Sequence, residues 1–284
     1  MKVRFWGVRG SIPVPGEGTT RWGGNSSCVE VTHGDATIVL DCGTGARPLG
    51  RDLLGRPQRE LDLLFTHFHM DHIIGFPFFG PVFAPNYQVR VTVPAFSEEE
   101  AKDRLGRFVN GVYHPLRIRE IPAQLSFTPI QPGRVFQRGP FEVLGVRMNH
   151  PGGAVGYRIS AGGYTVCYFT DTAPLARPGE GVTANAPPPA TERQVLDAIE
   201  GVDLLIFDTM FTFDEYLEKM TWGHAYPEYA VALSKVANVK HLIMFHHAPD
   251  ASDGFLDELS AKWQDHVEPR VTLAREGMLI DLEG

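Results

Sequence analysis

The chain has 284 residues, with 26 Lys and Arg against 34 Asp and Glu (net charge −8), 11 histidines, three cysteines and 43% hydrophobic residues. These proportions suit a globular chain with a substantial core and exclude disorder, collagen and a disulfide scaffold. The acidic balance argues against a broad basic face for a large nucleic acid, but it leaves room for a small anionic substrate in a local pocket.

Met1 to Gly7 enters alternating, strand-like sequence with no signal-peptide core, and no apolar run approaches the roughly 20 residues of a membrane span. Cys28, Cys42 and Cys167 are widely spaced and form no CxxC pair. The expectation is a cytoplasmic protein without a membrane partner, its cysteines serving as small buried side chains. In chain order, strands are predicted at Val3–Val8, Cys28–Thr32, Ala36–Leu40 and Leu61–Thr66. Asp41-Cys42-Gly43-Thr44-Gly45 reads as a tight turn before a helix near Arg47–Leu54, and Ser97 with Glu100 reads as a capping box opening a helix to about Val109. The second half repeats the theme. Strands are expected at Phe141–Met148, Val155–Ser160, Tyr164–Thr170, Leu204–Asp208 and His241–Phe245, with helices near Arg193–Glu200, Pro227–Val236 and Asp253–Trp263. Pro174 to Ala190 lacks apolar periodicity and reads as a surface loop. Two similar strand-and-helix halves can bury their sheets against each other and cover the outer faces with helices, so the predicted fold is a four-layer α/β/β/α sandwich, one domain over 1–284.

The strongest chemical signal is Thr66-His67-Phe68-His69-Met70-Asp71-His72, four potential ligands within six residues after an apolar strand. Imidazoles with a carboxylate suit zinc, and nearly as well manganese or iron. His67 and His69 alternate to one side, while Asp71 and His72 face a second point after the turn, as a two-metal site requires. The segment resembles the HxHxDH signature of the metallo-β-lactamase superfamily, whose fold is the same sandwich. Asn149-His150-Pro151, Phe169-Thr170-Asp171-Thr172 and Leu242-Ile243-Met244-Phe245-His246 are similar to its later metal motifs, in the same order. The resemblance implies two divalent ions, one held by His67, His69 and His150, the other by Asp71, His72 and His246, with Asp171 bridging. Neighbouring strand residues point to opposite faces, so only one of His246 and His247 faces the metals, and His246 matches the motif. His33, His114, His241 and His266 lie outside every motif and read as packing or surface histidines.

Two further features resemble the ribonuclease Z and phosphodiesterase branch: Gly156-Tyr157-Arg158-Ile159 after His150, and Trp222-Gly223-His224 before a helix, with Asp208 placed to hold His224. A still closer resemblance is to bacterial one-domain proteins that begin Phe-Trp-Gly-Val-Arg-Gly-Ser-Ile-Pro, some of them cyclic-nucleotide phosphodiesterase-like. The tight Ala161-Gly162-Gly163 turn leaves no room for a tRNA-gripping arm. The expected activity is therefore hydrolysis of a small phosphodiester by a metal-bridging hydroxide, with Asp71 orienting it and His224 serving the leaving oxygen. Rival readings are a thioester, lactone or other carboxyl-ester hydrolase, and a non-catalytic ligand-binding protein on the same fold. Arg9, Arg21 and Asn25 read mainly as solvated loop residues that a folded-over loop would bring to a phosphate. The aromatic run Phe76 to Phe83 reads as a base-stacking surface, as core or as a homodimer contact.

Overall fold

The computed structural model describes residues 1–175 and 190–284, so most of the stretch Pro174 to Ala190, read as a surface loop, lies outside the described residues. The strands are β1 Lys2–Gly7, β2 Cys28–His33, β3 Ala36–Leu40, β4 Glu60–Leu64, β5 Gln88–Pro94, β6 Gln124–Ile130, β7 Val135–Arg138, β8 Phe141–Met148, β9 Ala154–Ala161, β10 Tyr164–Phe169, β11 Leu204–Asp208, β12 His241–Phe245, β13 Arg270–Leu273 and β14 Leu279–Asp281. The helices are α1 Ala46–Leu54, α2 Met70–Ile73, α3 Glu98–Phe108, α4 Ala190–Ile199, α5 Phe213–Glu218, α6 Pro227–Val236 and α7 Asp253–Trp263.

One sheet has the order β14-β1-β2-β3-β4-β5-β6 and the other β13-β12-β11-β10-β9-β8-β7. Each is mixed. β3 to β6 run parallel, as do β10 to β13, while β1-β2-β3 and β7-β8-β9-β10 are antiparallel. The inner strands are apolar on both faces: all five residues of β11 are buried, because a parallel strand covered on both sides has no solvent face. Leu204 and Ile206 point between the sheets, where they meet Phe5, Val31, Ile38 and Leu40 of the first sheet and Tyr157, Tyr168 and Phe245 of the second. Leu205 and Phe207 point outward, onto a layer that includes Val195, Ile199, Ala230 and Leu233 of α4 and α6. On the other side, Leu61, Leu63, Val89 and Val91 face Leu49 and Leu53 of α1 and Ala101 and Leu105 of α3. The four layers expected from the sequence are therefore present.

Local chemistry sets the ends of these elements. The Ser97 hydroxyl accepts from the Glu100 amide at 3.1 Å, as a capping box requires, but the Glu100 carboxylate turns back to the Phe96 amide (2.7 Å) and not to that of Ser97. Gly50 in α1 has a physical reason: a Cβ there would sit 2.7 Å from the Gly80 nitrogen, so only glycine lets the helix approach that backbone.

Candidate metal centre

The parallel strands deliver their C-terminal ends to one rim. β8 runs antiparallel to β9, and β9 antiparallel to β10, so β8 points the same way as β10. Asp41 follows β3, His67 follows β4, His150 follows β8, Asp171 follows β10 and His246 follows β12, while Asp208 ends β11. Residues far apart in sequence thus meet where the two sheets end together, the usual place for a site in a parallel-stranded fold.

Two donor sets share one carboxylate. In the first, His150 Nε2 lies 3.0 Å from His69 Nδ1, and Asp171 Oδ1 lies 3.7 Å from His67 Nε2 and 3.8 Å from His150 Nε2. In the second, Asp171 Oδ2 and Asp71 Oδ2 each lie 3.1 Å from His72 Nε2, and His246 Nε2 lies 3.2 Å from Asp71 Oδ2 and 3.3 Å from Asp171 Oδ2. A tetrahedron with metal–ligand bonds of about 2.0–2.1 Å has edges of about 3.3 Å, and these separations bracket that value. Two further observations fit a dication in each set. First, His67 Nε2 and His72 Nε2 are buried without a hydrogen-bond partner, although buried polar atoms are rarely left unpaired. Second, Asp41, Asp71, Asp171 and Asp208 bring four carboxylates into one buried neighbourhood, which demands compensating positive charge. The fold and these clusters together point to divalent metal binding.

The surroundings pull the two buried imidazoles in opposite directions. Burial, with neighbouring imidazoles adding to it, holds His67 well below its ordinary range, so the ring is neutral and its lone pair available. His72 is driven the other way: burial opposes its charging, but the Asp171, Asp71 and Asp41 carboxylates outweigh burial and raise it well above its usual value.

A supporting layer fixes the rings. His72 Nδ1 donates to Asp41 Oδ2 at 2.8 Å, and Asp41 also accepts from the Thr66 amide (2.8 Å), the Thr66 hydroxyl and the Tyr168 hydroxyl (3.0 Å). His150 Nδ1 donates to the Gly223 carbonyl at 2.9 Å, and the Ser11 amide donates to Asp71 at 2.8 Å. Such partners set the tautomer and orientation of a ligating imidazole. His224 Nδ1 lies 2.7 Å from Asp208 Oδ2, with its ring 5.3 Å from that of His150 and 5.1 Å from that of His246. Burial works against its charging, yet the Asp208 carboxylate pushes it up to about 9.

The structure thus brings together His67, His69, Asp71, His72, His150, Asp171 and His246, with Asp208 and His224 beside them. His247 faces away and donates from Nε2 to the Ala274 carbonyl at 2.8 Å. Asp41 joins the site although its sequence marks only the start of a turn; its signal is an acidic residue directly after the strand parallel to the one that leads into the histidines. Arg9 is no solvated loop residue. It is fully buried, donating to the carbonyls of Gly23 (2.7 Å), Ala251 (2.6 Å) and Ala248 (3.1 Å). Asn25 is likewise engaged, with Glu276, whereas Arg21 is solvent-exposed as expected, its guanidinium meeting Asp257 at the surface. In the aromatic run Phe76, Phe79 and Val82 are core, and only Phe78 is largely exposed.

Comparison with known proteins agrees with this geometry. Residues 36–247 match the model of the beta-lactamase superfamily domain. A ribonuclease Z of Haloarcula marismortui is 24% identical, the match covering 98% of this chain and 96% of that protein. Among solved structures, a diphosphatase of the PhnP family superposes with a TM-score of 0.70 at 17% identity, covering 99% of this chain and 98% of that one. The short form of human tRNase Z superposes with a TM-score of 0.66 at 17% identity, covering 99% of each chain. With strand order, ligand-bearing strand ends and matched family in agreement, the chain belongs to the metallo-β-lactamase superfamily, as a metal-dependent hydrolase of its ribonuclease Z-like branch.

Proposed function

We propose that the protein is a dinuclear phosphodiesterase acting on a small phosphodiester such as a cyclic nucleotide. The observation that carries this reading is the pair of donor sets sharing Asp171, with the His224–Asp208 pair against their edge. His67, His69, His150 and Asp171 would hold one ion, and Asp71, His72, His246 and Asp171 the other. Zinc suits this nitrogen and oxygen set best, and manganese or iron would also fit. When bound, two such ions supply an activated water and neutralise charge on phosphoryl oxygens during in-line displacement.

The remaining steps belong to side chains of this chain. Asp71, fixed by the Ser11 amide, presents its carboxylate to orient the attacking water. His224 donates through Nδ1 to Asp208, which leaves Nε2 to hold a proton for the leaving oxygen. The Asp208 carboxylate is itself held by the Met210 amide at 3.0 Å, so the imidazole stays in one tautomer and one orientation.

The relatives named ribonuclease Z and diphosphatase support phosphoester chemistry over carboxyl-ester chemistry. The small size of the substrate is supported by the chain's acidity and by the β9–β10 turn, where Ala161 pairs directly with Tyr164 and no arm intervenes. The three free, buried thiols suit the cytoplasm, and among the described residues no helix is long and apolar enough to cross a membrane.

The test is turnover of bis-p-nitrophenyl phosphate by zinc- and manganese-loaded protein, beside cyclic AMP, a thioester, a lactone and a precursor tRNA. Phosphodiester turnover that disappears in His69→Ala is the expected result. Equal activity in that variant, or a faster rate on the thioester or lactone, would overturn the assignment.

A further inference from the structure

A cleft of about 790 Å³ runs along the seam between the two sheets, bounded by the end of β5, α3, the β6–β7 turn, β8 and α4. That volume lies within the range of small-molecule sites. Its lining holds Arg104, Arg147 and Arg158 against a single acidic residue, Asp197, which Arg193 already engages at 3.3 Å. In a chain of net charge −8 this is a local reversal of sign, and low-dielectric walls concentrate its effect on an anion.

The cleft reaches the metal centre at Gly152. Gly152, at φ +80°, lines it, and a Cβ on Gly152 would lie 3.9 Å from His69 Nε2. The Arg104 guanidinium sits 5.5 Å from the centre of the Phe68 ring, and Phe68 lies between His67 and His69. Two of the arginines are fixed at its wall by protein acceptors. Arg104 donates to Glu100 (2.7 Å) and to the Pro94 carbonyl (3.2 Å), and Arg158 donates to the Ala198 carbonyl at 2.6 Å. Arg147 is exposed on β8, and Phe96 at the rim is 82% exposed.

We infer that this cleft is a second anion subsite: it takes the non-scissile part of a phosphodiester substrate, and that part carries a further phosphate, with an aromatic or apolar body lying against Phe96. The inference rests on the phosphodiesterase reading and refines it, since a guanidinium fork matches phosphate oxygens and prefers a phosphorylated substrate to its uncharged analogue. A substrate bearing only the scissile group leaves the cleft empty.

The test compares thymidine 3′-(p-nitrophenyl phosphate) with its 5′-phosphorylated form, bis-p-nitrophenyl phosphate serving as the minimal substrate, in metal-loaded wild type and Arg147→Glu. The added phosphate is expected to raise kcat/KM at least tenfold in wild type, chiefly through KM. Arg147→Glu should erase that gain and leave bis-p-nitrophenyl phosphate turnover unchanged. Calorimetric binding of thymidine 3′,5′-bisphosphate should weaken in the variant by a similar factor. The absence of any gain in wild type, or an equal gain in Arg147→Glu, would overturn the subsite. If neither ester is hydrolysed but bisphosphate binding still falls in the variant, the phosphodiesterase assignment fails and the anion subsite stands.

Discussion

Asp41→Asn tests whether the second donor set depends on a residue that touches no metal. The Asp41 carboxylate accepts from His72 Nδ1 and the Tyr168 hydroxyl on one oxygen and from the Thr66 amide on the other, all at 2.8–3.0 Å and fully buried. Asparagine keeps the shape and tolerates the residue's φ of +58°, so backbone strain is not part of the change. Its amide group, however, must face either the His72 N–H or the Thr66 N–H, and neither donor can rotate away. Losing one hydrogen bond to a charged acceptor costs about 1.5–3 kcal/mol. Loss of an outer partner of a ligating histidine lowers metal affinity by roughly 10–100-fold, about 1.4–2.7 kcal/mol, so the two estimates agree. Chelator competition on the purified protein measures that affinity, and denaturant unfolding of the metal-free protein measures the part lost from folding. Weakened binding of one ion, with the ion of the His67, His69 and His150 set largely retained, is the expected result. Wild-type affinity and wild-type stability together would refute this account of Asp41.

His224→Ala should lower kcat by about 10²–10⁴-fold while metal content stays at the wild-type level, as loss of a positioned proton donor requires; a kcat within threefold of wild type would remove His224 from the mechanism. His241, pushed down to about 4 by burial and, secondarily, by Arg270, is neutral in the folded chain at pH values where an unfolded histidine (about 6.5) is already charged. Its contribution is therefore present above pH about 6.5 and is lost as pH falls toward 4. His241→Gln should flatten that loss by about 1–3 kcal/mol between pH 7 and pH 4 in denaturant midpoints, and parallel curves for the two proteins would contradict it. Gly10→Ala places a Cβ 2.5 Å from the His246 ring and should displace that ligand, halving the bound metal measured by elemental analysis. Gly18→Ala, which adds a Cβ into open space, is its control, and a full metal complement in Gly10→Ala would show that His246 is not needed.

How much could be read beforehand depended on how local each signal was. His67, His69, Asp71 and His72 sit within six residues, so their joint geometry follows from one strand and one turn. His150, Asp171 and His246 are recognisable because their segments resemble the later metal motifs of the superfamily, each at the end of an apolar strand. Asp41 also follows an apolar strand, but it lies in none of those motifs. Its role exists only because β3 lies parallel to β4, with the Asp41 amide on the Leu64 carbonyl, which brings its carboxylate under Thr66. Arg9 misled for the same reason. Its glycine-rich surroundings suggest solvent, whereas its guanidinium is enclosed by carbonyls about 240 residues away in sequence. Strand β5 does alternate, with Val89, Val91 and Val93 set apart by Arg90 and Thr92, whereas β6 carries Pro129, which its place at the edge of the sheet accommodates.

The backbone conformations at the site explain why its ligands emerge where the strands stop. Asp41, Asp171 and His246 have φ of +58°, +53° and +65°, three of the five non-glycine residues with positive φ among those described. Each lies one or two residues beyond the end of a parallel-paired strand, β3, β10 or β12. In a continuing strand, alternation would send each of these side chains into the sandwich interior or the helical layer, where a carboxylate or an imidazole is costly. A left-handed step breaks the alternation and turns the side chain across the strand end, toward the gap between the two sheets. Asp and His accept this conformation at lower cost than branched residues, and the expense of order 1 kcal/mol per site is tolerated because surrounding hydrogen bonds over-determine the geometry. Asp41 is held by Thr66, Asp171 by the Thr170 hydroxyl at 2.7 Å, and His246 by Asp71 on one side and the Gly10 backbone on the other. The strain is therefore part of the design of the centre. It lets two sheets whose layers are mainly apolar present seven candidate metal-binding groups at one shared rim.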